Sequence, residues 1–297
     1  MKFKPPNKSE RINSIGSTEK LSETDQRAFD PNGFEPIPKP KSGDWLSEHQ
    51  ESGQTFDQFK QQNWKQPDSS YNTIYLQPLG RFPENKSPSL ELLREYVENY
   101  YTLRVNINNP LNLKKHNITI RINPYSRNIQ ILTSDVLNIL TKQLPKDAFC
   151  LMGISMEDLY PDPSWNFVFG QASINDRVGV YSFARYHPAF YREKPDKNFM
   201  QILLKRSCKV LVHEIGHMFG LNHCIYFHCI MNGSNHLQES DSRPLHLCPV
   251  CLHKLKYSIG FDIVEWYKKL HNFYQQHGFT DEADKIKNRL DYILDKK

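Results

Sequence analysis

From Thr73 onward, the apolar residues of the chain follow two regular spacings. Runs with the length and alternation of β-strands cover residues 74–76, 103–107, 118–122, 128–132, 149–154, 165–172 and 178–186. Spacings of three and four predict helices after Ser89, after Ser134 and from about Met200, and two further helices beyond residue 258. Strands that alternate with helices and then lead into a long helix predict an α/β fold with a mostly parallel sheet.

The long helix that begins near Met200 has one apolar side. Its members are Leu204, Cys208, Leu211, Val212 and Ile215, which we expect to pack against the sheet. Cys208 on this helix and Cys150 within the run 149–154 are interpreted as core residues without a chemical role. The opposite side of the helix is left free for His213, Glu214 and His217.

Residues 1 to about 70 lack this periodicity and are rich in Pro, Ser, Lys, Glu and Gln. We expect a poorly ordered N-terminal arm, in which Phe56, Phe59 and Trp64 either dock a short segment or bind a partner. No cysteine precedes Cys150, so the arm has no thiolate with which to block a metal. The predicted divisions are the arm (residues 1–70), one domain (71–260) and two C-terminal helices packed on it (261–297).

The sequence HEIGHMFGLNH carries the candidate chemistry. Residues four apart share a helix face, so His213 and His217 can bind one zinc ion, and Gly220 can end the helix and return His223 as a third ligand. Three imidazoles leave a fourth zinc position open, where a bound water has a pKa of about 7. Glu214 would act as the general base of a hydrolase.

These histidines admit two other interpretations. An ordinary amphipathic helix could carry histidines without a metal, although this spacing rarely arises by chance. A thermolysin-like site, with a Glu ligand on a later helix, fits less well because His223 already completes the set. The sequence therefore favours a catalytic zinc held by three histidines.

Four cysteines follow in two pairs: Cys224 with Cys229, and Cys248 with Cys251. Such pairs can close a tetrahedral zinc site with no open position, which is the arrangement of structural zinc. Disulfides would require a secreted chain. His228 could replace one thiolate, but the four cysteines already form a full set.

These residues, together with three upstream stretches, resemble the archaemetzincins, a metzincin-clan family of zinc metallopeptidases. The matching positions are His213, Glu214, His217, Gly220, His223, Cys224, Cys229, Met231, Cys248 and Cys251, and the stretches are IYLQPLG, FCLMGISMEDLY and WNFVFGQAS. The resemblance covers roughly residues 70 to 260 and is strongest to the second of two vertebrate paralogues. It implies a catalytic and a structural zinc, a Met-turn at Met231, and an antiparallel edge strand that receives extended peptide substrates.

Composition narrows the classes of function. Hydrophobic residues make up 38% of the 297 residues, and the formal net charge of +5 is spread among acidic residues instead of forming a basic stripe, so nucleic acid is not an expected partner. The chain has neither a run of about 20 apolar residues nor the apolar segment of a signal peptide. We therefore expect a monomer in the cytosol or nucleus, away from membranes, with reduced thiolates available for zinc.

Three functions compete on this basis. The first is a zinc metallopeptidase acting on peptides or unfolded protein segments. The second is a zinc-stabilised interaction protein with little or no turnover, which the presence of Glu214 argues against without excluding. The third is nucleic-acid binding by the cysteine segment, where Glu239, Asp241 and Arg243 stand in place of a basic cluster. The metallopeptidase is the preferred prediction.

Overall fold

The structure is a computed structural model that describes residues 3–62 and 64–295. Contacts within the chain divide it into two compact units. One unit comprises residues up to 66 and from 219 onward, and the other comprises residues 67–218. The predicted division, in which residues 71–260 form a single domain, stays a prediction.

The helices and strands have the following bounds. The α-helices are α1 (Lys8–Ile15), α2 (Glu23–Ala28), α3 (Trp45–Glu48), α4 (Phe56–Gln61), α5 (Leu90–Tyr101), α6 (Thr133–Lys142), α7 (Phe199–Met218), α8 (Leu237–Ser242), α9 (Pro249–Ile259), α10 (Ile263–Gln276) and α11 (Thr280–Ile293). The strands are β1 (Thr73–Leu79), β2 (Arg104–Ile107), β3 (Ile120–Ile122), β4 (Ile129–Leu132), β5 (Ala148–Ser155), β6 (Asp158–Tyr160), β7 (Gly170–Ser173) and β8 (Val178–Ser182). Short 3-10 helices cover Leu113–Lys115, Ala184–Tyr186 and Pro188–Tyr191.

The unit of residues 67–218 contains a five-stranded sheet in the order β2-β1-β5-β8-β7. Neighbouring strands are parallel except for β7, which runs antiparallel to β8 at the edge. This confirms the predicted mostly parallel sheet with an antiparallel edge strand. A second sheet, in the order β3-β4-β6, was not anticipated.

Burial explains the position of β5 at the centre of the larger sheet. All eight of its residues are buried, as expected for a parallel strand covered on both faces. One apolar cluster joins its Leu151 to α6 and to the second sheet; the cluster comprises Leu79, Ile131, Val136, Leu140, Leu151, Leu159, Val178 and Val180. Burial also raises the pKa of the Cys150 thiol, so this residue remains a neutral core side chain, as predicted.

The long helix α7 is held by its apolar side, as the sequence predicts. Cys208, Leu211 and Ile215 are fully buried, and Val212 is 1% exposed. Its backbone is fixed as well, because the hydroxyl of Tyr101 at the end of α5 donates a hydrogen bond to the Val212 carbonyl. The helix that carries His213, Glu214 and His217 is thus anchored directly beside these residues.

The prediction of a strand over residues 165–172 is wrong for its first half, since β7 begins at Gly170. The carbonyl groups before it accept hydrogen bonds from side chains: the Arg121 guanidinium bonds to Pro163, Trp165 and Asn166, and Asn123 bonds to Asn166. These acceptors are therefore taken by side chains instead of a neighbouring strand. Periodicity alone cannot report this competition.

The predicted strand 178–186 is also shorter in the structure. It ends at Ser182, whose hydroxyl accepts a hydrogen bond from the Ala184 N–H and turns the chain into a 3-10 helix. The buried apolar residues that follow, Phe183 and Tyr186, sustain the apolar pattern without sustaining the strand.

The unit formed by the two ends of the chain contains α1 to α4 and α8 to α11. Capping boxes begin two of its N-terminal helices: Asn7 with Glu10 at α1, and Thr55 with Gln58 at α4. Phe56 lies face to face with His253 of α9, with ring centroids 3.6 Å apart. The sequence predicts little order in this arm, whereas the structure shows short, capped helices.

Buried anchors explain why so polar an arm forms helices. Phe29, Phe56 and Phe59 are at most 7% exposed, and Trp64 packs on Gly220, so the docking interpretation of these aromatic residues fits the structure better than a free partner-binding motif. In addition, Arg289 of α11 donates hydrogen bonds to four carbonyl groups of residues 27–32. Single contacts of this kind leave no periodic pattern in the sequence, so a search for periodicity overlooks them.

Within the described ranges, no helix combines the length and the apolar character needed to cross a membrane.

Candidate metal centres

His213 and His217 lie one turn apart on α7, as their spacing predicts. Their Nε2 atoms are 3.1 Å apart and their rings are nearly perpendicular, with centroids 4.7 Å apart. Two nitrogen atoms at this separation can both lie about 2.0–2.1 Å from one zinc ion. The helix therefore presents two imidazoles in an arrangement that fits a shared metal.

Gly220 redirects the chain after α7. Its φ of +80° lies in the left-handed region, and a Cβ at this position would lie 2.3 Å from the indole of Trp64. Glycine is the residue that tolerates both conditions. The predicted turn is present, and His223 follows it.

His213, His217 and His223 form a group whose ligand nitrogen atoms all lie within 4.8 Å of one another. His213 is 7% exposed, and the other two are half-buried. The donor set and its spacing fit a zinc ion bound by three imidazoles, with one position left for a further ligand. The sequence-predicted ligands of the first site are therefore brought together.

Glu214 is half-buried and lies next to the edge strand. A Cβ placed on Gly170, the first residue of β7, would be 3.3 Å from the Glu214 carboxyl carbon. Tyr181 on β8 and Tyr101 on α5 are also near this carboxylate. Their pKa values lie well above normal, chiefly because of burial and further because of the negative charge on Glu214.

Cys224, Cys229, Cys248 and Cys251 form a second group, with all four sulfur atoms within 4.8 Å. Each residue is at most 3% exposed. The Sγ atoms of Cys224 and Cys248 are 3.6 Å apart, well beyond the S–S bond length of about 2.05 Å but compatible with two Zn–S bonds of about 2.3 Å. The structure brings all four predicted ligands together as thiols.

The pKa values of three of these thiols also indicate that the cluster would be stabilised by a bound cation. Although burial disfavours the Cys224 thiolate, hydrogen bonds from Cys229, Cys248 and Cys251 hold the pKa of Cys224 well below normal. The pKa of Cys248 is raised, first by burial, and that of Cys251 is raised, first by its hydrogen bond to Cys224. The four buried sulfurs cannot all ionise without a positive charge, which zinc would supply.

The backbone around this cluster is fixed by hydrogen bonds. The Cys224 N–H donates to the Met231 carbonyl at 2.8 Å, and the Asn232 amide donates to the Cys224 carbonyl and accepts from the Cys229 N–H. Cys248 is the N-cap of α9, and Pro249 takes the first helical position. His228 is not a member of the four-sulfur group and faces Glu35 at 3.7 Å.

Glu51 is a site neighbour that sequence analysis does not single out. Its Oε1 atom lies 2.6 Å from Nδ1 of His223, and the indole Nε1 of Trp45 donates to the same oxygen at 2.8 Å. Glu51 and His223 are 172 positions apart in the chain, and no motif spacing connects them. The N-terminal arm thus reaches a predicted zinc ligand.

Comparison with known proteins gives the family. The model of peptidase family M54 matches residues 103–257, more than half of the chain. Archaemetzincin-2 of Mus musculus is 42% identical, over 86% of this chain and 80% of that protein. Archaemetzincin-1 of Homo sapiens is 30% identical, over 78% of this chain and 52% of that protein. The crystal structure of an archaemetzincin from Methanopyrus kandleri has 28% identity and a TM-score of 0.48, covering 66% of this chain and 99% of that chain.

The higher identity to Archaemetzincin-2 than to Archaemetzincin-1 agrees with the resemblance to the second vertebrate paralogue. The matched region contains all three histidines, Glu214 and all four cysteines. The chain belongs to the archaemetzincins of peptidase family M54, a family of zinc-dependent metallopeptidases.

Proposed function

We propose that this metallopeptidase hydrolyses peptide bonds with a catalytic zinc bound by His213, His217 and His223, and that Glu214 is its general base. The proposal rests on the group of three imidazoles whose nitrogen atoms lie within 4.8 Å. A zinc ion held by three neutral imidazoles would act as a Lewis acid that activates water and polarises a carbonyl group. Peptides and unfolded protein segments are the proposed substrates.

The role of Glu214 follows from its position on α7. It adjoins His213 in sequence and is not needed as a ligand, so its carboxylate is proposed as the group that accepts a proton. It would take this proton from the attacking water and deliver it to the amide nitrogen as the C–N bond breaks. Gly170, which has no side chain, leaves room for this carboxylate beside β7.

The edge strand β7 is the proposed docking element for substrate. Among the described residues of its sheet it pairs only with β8, so its other side is proposed to form main-chain hydrogen bonds to an extended peptide. Because β7 begins beside Glu214, a peptide paired there would bring its backbone near the general base. This arrangement favours extended substrates over folded ones.

A second, structural zinc is proposed on Cys224, Cys229, Cys248 and Cys251, giving two zinc ions per chain. A closed set of four thiolates leaves no position for substrate, so this ion would stabilise the fold and take no part in catalysis. The chain is proposed to work as a monomer in the cytosol or nucleus, and the requirement for reduced thiolates supports that location. Met231 is proposed as the Met-turn of the catalytic site.

A peptide-library cleavage profile of the full-length, zinc-loaded chain tests the catalytic assignment. We expect cleavage by the wild type and a loss of at least about 100-fold in Glu214→Ala, because general base catalysis typically contributes that much. The wild type and Glu214→Ala should both retain their zinc, since Glu214 is not a proposed ligand. Glu157→Ala, which removes an exposed carboxylate on the same unit, is the control and should cleave normally. Undiminished cleavage by Glu214→Ala would show that another group activates water.

A further inference from the structure

The His223 imidazole is held through its Nδ1 atom, which leaves Nε2 as the nitrogen for a metal. Nδ1 of this ring is 2.6 Å from Oε1 of Glu51, a distance typical of a charge-assisted hydrogen bond. A carboxylate only accepts hydrogen bonds, so Nδ1 carries a proton, and in the neutral imidazole Nε2 then keeps its lone pair. This is the tautomer that a metal-binding histidine needs.

Trp45 holds the Glu51 carboxylate in turn. Its indole N–H donates to the same Oε1 at 2.8 Å, and its ring meets the His223 ring edge to face with centroids 5.0 Å apart. On another side, a Cβ at Gly233 would lie 2.4 Å from the indole, so the tryptophan packs directly against that backbone. Trp45 therefore contacts both members of the Glu51–His223 pair.

The segment that carries Trp45 and Glu51 is tied down beyond this contact. The Trp45 N–H donates to the Glu239 carboxylate, with distances of 2.9 and 3.1 Å to its two oxygens. The preceding residue, Asp44, accepts from His236 at 3.1 Å. These two bonds fix α3 against the start of α8. The backbone leading to Glu51 is therefore held by contacts other than the one with His223.

We propose that Glu51 and Trp45 are positioning residues for the catalytic zinc: Glu51 fixes the tautomer and ring orientation of His223, and Trp45 orients Glu51. This rests on the assignment of His223 as a zinc ligand under the proposed function. Among the described residues, the candidate metal-binding group of three imidazoles does not include Glu51. The carboxylate contacts this group through Nδ1 of His223, as expected for a residue that orients a ligand. The N-terminal arm is thereby a functional part of the peptidase.

An incidental surface ion pair is the competing explanation for the contact. Surface pairs contribute little because water solvates both partners. Here the Glu51 and His223 side chains are only 21% and 19% exposed, and one carboxylate oxygen serves two donors. This degree of shielding and shared geometry suits a carboxylate that orients a metal-binding histidine.

The test measures zinc affinity, a readout independent of activity, by competition with a chelator on the full-length, zinc-loaded chain. Glu51→Ala should lower the affinity for the catalytic zinc by roughly 10- to 100-fold, the usual cost of removing a residue that orients a metal ligand. Glu51→Gln, which keeps an acceptor but loses the charge, should weaken it by about tenfold, at the lower end of that range. Trp45→Phe should cause a smaller loss that is still measurable.

The matched control is Glu48→Gln, which neutralises an exposed carboxylate three residues away and should leave zinc affinity unchanged. His223→Ala separates the positioning role of Glu51 from the assignment of His223 as a zinc ligand. If His223→Ala releases zinc while both Glu51 variants bind it as tightly as the wild type, the positioning role is wrong and the ligand assignment stands. If His223→Ala retains normal affinity, the ligand assignment itself is wrong. If Glu51→Ala does not fold, the zinc affinity of Glu51→Gln decides whether the positioning role is correct.

Discussion

Gly220 is required at the turn after α7 for two independent reasons. Its φ of +80° strains any residue with a side chain, and the Trp64 indole occupies the space where a Cβ would lie. The first reason is local and visible in the sequence, where glycine three residues after His217 predicts a turn. The second depends on a residue more than 150 positions earlier, and only the structure reveals it.

The two costs can be separated by mutation. Gly220→Ala should lower the free energy of unfolding by about 1–2 kcal/mol from the left-handed backbone and by about a further 1–3 kcal/mol from the clash. In a Trp64→Ala background the clash is absent, so the same substitution should cost only the backbone part. Urea unfolding of the four proteins measures the coupling. Equal costs in both backgrounds would mean that Trp64 does not press on Gly220.

The same contrast applies to the metal ligands. Spacing alone proposes His213, His217, His223 and the four cysteines as zinc ligands, because each set is close in the chain and the chemistry of zinc restricts the spacing. Glu51 could not be identified, since a carboxylate that orients a ligand can come from any part of the chain. Sequence thus predicts the candidate ligands better than the residues that support them.

At the scale of elements, strands and helices that bury a whole face were predictable. The positions of β1, β5, α5 and α7 follow from their apolar runs, because burial on the sheet agrees with local periodicity. The shortened β7 and the helices of the N-terminal arm were not predictable in this way. In those segments side-chain hydrogen bonds and single aromatic anchors decide the conformation.

The first residue of β7 has a testable role in catalysis. A Cβ on Gly170 would lie 2.7 Å from the Tyr181 Cβ, 3.0 Å from the Val180 carbonyl oxygen and 3.3 Å from the Glu214 carboxyl carbon. Gly170→Ala must therefore move the strand or the carboxylate. We expect kcat to fall by about 10- to 100-fold, because small misplacements of catalytic groups are costly.

The measurement compares kcat, KM and zinc content of Gly170→Ala with those of Ala172→Gly. The control changes the same strand without adding an atom, so its kcat should stay near that of the wild type. Zinc content should be normal in both variants, since neither residue is a proposed zinc ligand. An unchanged kcat in Gly170→Ala would show that β7 can yield without disturbing Glu214.

At the scale of the whole molecule, the two proposed zinc sites are joined by a very short stretch of chain. His223 and Cys224 are consecutive, so their Cα atoms are about 3.8 Å apart and the two ions must lie within roughly 15 Å of each other. The Cys224 N–H also bonds to the Met231 carbonyl, and Asn232 holds both Cys224 and Cys229. The backbone that delivers His223 is therefore the backbone that the cysteine site organises.

This connection predicts an asymmetric response to the loss of ligands. Elemental analysis of the wild type, purified without chelator, should give two zinc ions per chain. Cys251→Ser should lose the structural zinc and also weaken the catalytic zinc, because metal-binding free energy at a closed site is folding free energy for the segment around it. His217→Ala should lose only the catalytic zinc, since none of the four proposed cysteine ligands lies on α7.

Zinc content per chain and the thermal midpoint, measured for both variants, test the asymmetry. Cys251→Ser should have the lower midpoint, because its buried cluster loses the ion that compensates the remaining thiolates. Cys208→Ser provides a control for replacing a buried cysteine outside both sites; it should keep two zinc ions even if its midpoint falls. Independent losses of one zinc ion in each ligand variant would contradict the coupling. One zinc ion in the wild type, unaffected by Cys251→Ser, would contradict the second site itself.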